Sequence, residues 1–119
     1  MKVFNHHIYE YKKGLRNLIL HTTKASDKKE IERRLEDYKI PYLIYHVNSE
    51  KINVFFGNQN CINVIDKINK NDLREYSDEE DFILGIMLGY DRVDQCKRFI
   101  ERKLRKEAIQ KRQKNIFCA

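Results

Sequence analysis

Two short alternating runs near the middle of the chain decide most of what it can become. Tyr42-Leu43-Ile44-Tyr45-His46-Val47 and Lys51-Ile52-Asn53-Val54-Phe55-Phe56 flank the polar stretch Asn48-Ser49-Glu50-Lys51. That separation predicts a β-hairpin with a short loop. Leu43, Tyr45 and Val47 line one face of the first strand, and Ile52, Val54 and Phe56 one face of the second. The rest of the chain has to be arranged around this hairpin.

Upstream, residues 4–14 mix Ile8, Tyr9 and Tyr11 with two histidines and end at Gly14, which predicts a short helix or an edge strand. Leu15 to Thr22 carries strand signal, with Leu18, Leu20 and Thr22 on one face and Ile19 and His21 on the other. Asp27 with Glu30 forms a capping box, Ser26 being the competing cap, and Ile31, Leu35 and Tyr38 follow at helical spacing. Pro41 stops that helix, because proline disfavours the α conformation in the residue before it.

Downstream, Gly57-Asn58 is a turn, and Ile62, Val64, Ile65 and Ile68 read as a short amphipathic helix. Ser77-Asp78-Glu79-Glu80 is the strongest helix start: Ser77 caps, Glu80 reaches back, and the acids complement the positive end of the helix dipole. Phe82 to Leu88 is apolar nearly all round, which predicts a central helix ended by Gly89. Asp91 with Asp94 starts a last helix, expected to turn Val93, Cys96, Phe99, Ile100 and Leu104 inward and to fray beyond Leu104.

The order is β-α-β-β-α-α, with a further N-terminal helix if residues 4–14 form one. A right-handed crossover through residues 27–39 makes the first two strands parallel, and the hairpin places the third, antiparallel, between them. The expectation is an α+β two-layer sandwich: a three-stranded mixed sheet with helices mainly on one face. Residues 1–103 form the domain, and 104–119 a basic helical extension.

A chain of 119 residues accommodates one domain. With 41% hydrophobic residues, seven Tyr and six Phe, it can bury a core. No apolar stretch approaches the roughly 20 residues that span a bilayer, and the N-terminus has no signal-peptide pattern. Cys61, Cys96 and Cys118 are odd in number and lack a CxxC pair, against a disulfide framework or zinc ribbon. A reduced, cytoplasmic protein with no membrane contact is expected.

Catalytic chemistry finds little purchase. His6 and His7 are adjacent, so their side chains diverge. His21 and His46 share a sheet face opposite Val54 and Phe56, where Asn53 or Cys61 would complete a metal site. No helical HxxxH or HExxH supports that site, and two half-covered histidines are the ordinary reading. Cys61 at a helix N-terminus is a candidate thiolate, whereas Cys96 reads as a small core residue. The four glycines are scattered and form no phosphate loop. No catalytic, metal or cofactor-binding residue is assigned, and no cofactor is expected.

Several stretches resemble a small bacterial family without assigned reaction, domain of unknown function number two thousand and twenty-three. They are His6-His7-Ile8-Tyr9-Glu10, Lys13-Gly14-Leu15-Arg16, Leu20-His21-Thr22, Lys51 to Gly57, Glu79 to Gly85, and Leu88-Gly89-Tyr90-Asp91. The resemblance covers roughly residues 4–103 and implies a compact bacterial α+β protein, with no catalytic residues to carry over. Genes of this family neighbour flavodoxin genes, so the resemblance also implies an acidic flavodoxin-like partner.

Charge singles out the C-terminus. The net charge is +6, but Arg92 to Lys114 holds ten Lys/Arg against Asp94, Glu101 and Glu107, so the remainder is close to neutral. The leading expectation is therefore a non-enzymatic binding protein. Lys97, Arg98, Arg102, Arg105 and Lys106 would pair with carboxylates of an acidic protein, with Tyr90 or Phe99 as an apolar anchor. Non-specific nucleic-acid binding by the same segment is the alternative, although exposed aromatics for base stacking are missing before Phe117. A small enzyme using His21, His46 and Cys61 ranks third. An exposed sheet edge and one thinly covered face suggest a homodimer.

Overall fold

The computed structural model describes residues 1–118, with side chains through Lys114. The helices are α1 (Lys2–Lys12), α2 (Lys28–Asp37), α3 (Gln59–Ile68), α4 (Asp78–Met87) and α5 (Arg92–Cys118). The strands are β1 (Leu18–Lys24), β2 (Tyr42–His46) and β3 (Lys51–Gly57), and short 3-10 turns precede α2 and α4. Residues 4–14 are thus helical.

The sheet runs β1-β3-β2, and β3 is antiparallel to both neighbours. β1 and β2 point the same way, as the crossover requires, but β3 keeps them from touching. The sheet is therefore antiparallel throughout and not mixed.

Helices cover both faces, which replaces the expected two layers with three. On one face Phe4 and Ile8 of α1 and Ile31 and Leu35 of α2 pack against Ile19, Ile52, Val54 and Phe56. On the other, Ile62 and Ile65 of α3 and Leu84 of α4 pack with Leu18 and Phe55, joined by Tyr76 and Leu88. The cause is legible in β3: every residue from Ile52 to Gly57 is buried, as in a central strand covered on both sides. Both sheet faces carry helices, so the bare face expected of the sheet is not found, and the β1 and β2 edges are what remains of the case for a homodimer.

Local chemistry sets the helix starts. Ser77 and Glu80 form a reciprocal capping box at 3.1 and 2.8 Å, and the Asn58 side chain caps α3 by accepting from the Asn60 amide at 2.8 Å. The box expected at Asp27 and Glu30 does not form. Asp27 instead accepts from the Thr23 hydroxyl at 2.8 Å, and α2 is entered through a 3-10 turn. Gly89, at φ +83, ends the α4 region as a left-handed glycine.

α4 is peripheral, not central. Only Asp78, Leu84 and Gly85 of it are buried, and Ile83 is 41% exposed. Its apolar girdle serves α3 and the sheet on one side and α5 on another, and the remainder faces outward. Among the described residues, no helix is long and apolar enough to cross a membrane.

Candidate docking surface

The acidic first turn of α4 meets the basic side of α5. Arg98 holds Asp81 through both oxygens, at 2.8 and 3.2 Å. Arg102 bridges Asp78 and Asp81 at 2.9 and 3.1 Å, Lys103 pairs with Glu79 at 2.6 Å, and Lys106 with Asp78 at 2.9 Å. Asp78 is the buried member, 2% exposed, with Arg102 Nε and Lys106 Nζ each 2.9 Å from its carboxylate. Lys106 first, then Arg102 and Lys103, hold the Asp78 carboxyl below the usual carboxylate range. Arg98 does the same for Asp81, and Lys103 for Glu79.

This network redistributes the expected docking residues. Of Lys97, Arg98, Arg102, Arg105 and Lys106, three are engaged within the chain. Among the described residues, Lys97 and Arg105 make no ion pair. The acids of α4 thus neutralise the near side of α5, and the uncompensated cations lie elsewhere on the helix.

The polar stripe Gln95-Arg98-Arg102-Lys106 is the one turned towards α4, with Gln95 packed on Gly85, where a side chain would collide with it. The apolar stripe expected to face inward therefore faces out. Val93, Ile100 and Leu104 are 61%, 54% and 58% exposed, Cys96 is exposed, and only Phe99 is half-buried, its ring 5.7 Å from that of Phe82. Up to Lys114, α5 has no buried residue. Periodicity marks the apolar stripe, but it cannot say which side of the helix meets the protein.

Between the helices runs a groove of 380 Å³ lined by Glu79, Phe82, Ile83, Cys96, Phe99 and Ile100. Its walls are apolar apart from Glu79, which Lys103 holds. Tyr90, in the α4–α5 turn, is 55% exposed, as an anchor residue would need to be.

The proposed histidine site does not assemble. His21 lies opposite Val54 and His46 opposite Ile52, so both share the Val54/Phe56 face and not the reverse one. β3 separates them by two strand spacings and a two-residue offset along the sheet, about 12 Å. His46 Nε2 sits 3.5 Å from Lys28 Nζ, and Cys61 belongs to the cluster on the other face. Burial pushes the Cys61 thiol up, away from a reactive thiolate. Among the described residues, no group of three or more His, Cys, Asp or Glu is placed to hold a metal.

His21 meets a different partner, His7, with ring centroids 5.4 Å apart. Arg16 lies 3.4 Å from His7 Nδ1, and Glu10 bonds His6 at 2.8 Å. Burial, reinforced by Arg16 at His7 and by His7 at His21, pushes both imidazoles below their ordinary value. The signal was present in sequence, since His7 adjoins the Phe4-Ile8-Tyr11 stripe.

A family described as "Protein of unknown function (DUF2023)" matches residues 2–102. The groove lies wholly inside that span, whereas Leu104 and Arg105 lie beyond it. No curated protein matches the chain.

Proposed function

The chain belongs to the DUF2023 family, whose description assigns no reaction, and from that premise we propose a non-enzymatic, cytoplasmic binding protein that docks an acidic protein through α5. A flavodoxin-like protein is the specific version of that partner. One observation carries the reading: α5 has no buried residue up to Lys114, and Lys97 and Arg105 on it make no ion pair among the described residues. A helix held on one side by ion pairs and bare on the other is built to be covered.

Lys97 and Arg105 then supply the electrostatic steering, and Arg98, Arg102 and Lys106 act chiefly as the clasp on α4. Titration against an acidic flavodoxin at low salt tests the proposal, with RNA and duplex DNA in parallel. Binding should weaken about tenfold or more in a Lys97→Glu/Arg105→Glu double variant, and it should weaken with salt. Loss of binding in Lys111→Glu/Arg112→Glu/Lys114→Glu for nucleic acid, with no response to flavodoxin, would favour the nucleic-acid alternative. No response to either class of ligand sinks the reading.

A further inference from the structure

We infer that the α4–α5 groove and the stripe beside it seat an acidic amphipathic helix supplied by the partner, turning the two-helix hairpin into a three-helix packing. This rests on the docking reading above and adds which element of the partner binds, and where. Val93, Cys96, Ile100 and Leu104 recur at spacings of three and four, so they form one continuous line on α5. That line runs about 16 Å, three helical turns at 1.5 Å per residue. Ile83 and Phe82 of α4 flank it, and the groove between gives a bulky apolar side chain somewhere to enter.

The geometry selects a helix. The groove is lined by residues of α4 and α5 alone, so it offers an extended strand no sheet edge to join. A helix laid in the valley of two others presents its own line at spacings of three and four to match.

Charge selects the sign. Among the described residues of α5, Arg92, Lys97, Arg105, Lys111, Arg112 and Lys114 make no ion pair, against Asp94, Glu101 and Glu107 on the acidic side. Alongside the stripe Arg92, Lys97 and Arg105 are matched by Asp94, Glu101 and Glu107, and the positive excess, Lys111, Arg112 and Lys114, lies past Leu104, where the end of a helix laid along α5 would reach it. A second copy would bring the same excess to the contact, whereas a helix rimmed with Asp and Glu would relieve it.

The probe is a designed helical peptide of about 18 residues, five turns, with leucines at the matching spacings and glutamates on the rim. Its lysine-rimmed twin and a shuffled sequence are the controls, and full-length protein is the receptor. The acidic peptide should bind and gain helicity, and the twin should bind about tenfold more weakly or worse. Ile100→Asp and Leu104→Asp change exposed residues, so folding should persist by circular dichroism, while affinity should fall about tenfold or more in each. Equal binding of the shuffled peptide, or full affinity in Ile100→Asp, overturns the inference. The docking reading survives that result if Lys97→Glu/Arg105→Glu still abolishes binding, and falls with it if that variant is also neutral. A dimer in sedimentation that Ile100→Asp converts to monomer would show that a second copy covers the face, which also overturns the inference.

Discussion

Gly57 closes β3 at φ +147, with its amide donating to the Pro41 carbonyl at 3.1 Å. A side chain there would run into the Asn17 carbonyl, which already accepts from the Asn58 amide at 2.8 Å. That carbonyl and the neighbouring Leu18 Cα are both backbone, so neither yields cheaply. Gly57→Ala should lose about 2–3 kcal/mol, seen as an earlier denaturation midpoint with an unchanged slope. A variant as stable as the parent would show that the Asn17 segment gives way. His7 and His21 carry a second consequence at this scale. The fold depresses both pKa values, so the unfolded chain takes up protons first. Their contribution is complete above about pH 6.5 and is lost as pH falls from there through the folded-state values. The facing groups are Arg16, His6 and Glu10 around His7, and the N-terminus and Asp27 around His21. His21→Gln should flatten the loss of stability between pH 7 and 5, and an unaltered profile would place its source elsewhere. The sequence showed each histidine's position on its element. It did not show the register of β1 on β3, which alone decides that His21 shares a face with Val54.

The ends of elements were more legible than their orientation. Ser77 with Glu80 and Gly89 after α4 act through atoms a few residues away, so local sequence suffices to find them, whereas Asn58, read as part of a turn, proves to cap α3. Asp27 misled because Thr23, four residues back, competes for its carboxylate. For α5 the difficulty is of another kind. Two stripes satisfy helical spacing, and the acids of α4 decide which one docks. That predicts a dependence on Asp78, whose carboxylate lies among Arg102, Lys103 and Lys106. Asp78→Ala removes the shared counter-charge and should loosen α5 while sparing the sheet. Amide exchange from Arg98 to Lys106 should accelerate about tenfold or more, with β3 protected as before. If exchange quickens equally in β3, the clasp is part of the global fold and not a local fastening.

Across the whole molecule, the topology followed from the hairpin and one crossover, while the layering did not. β3 reads as Ile-Asn-Val-Phe-Phe, and the near-continuous apolar run, more than its alternation, marks a strand covered twice. The radius of gyration is 17.6 Å, against about 13–14 Å for a compact chain of this size, because α5 extends the long axis to 63 Å. Past Lys106, the last described clasp to α4, the helix runs on to Cys118. Helices this bare hold together only marginally in water. Through Lys114 no lysine or arginine of α5 is buried, so a partner lying along the helix as proposed should slow tryptic cleavage there. If a partner covers α5 as proposed, the lifetime of the protein would follow the supply of that partner.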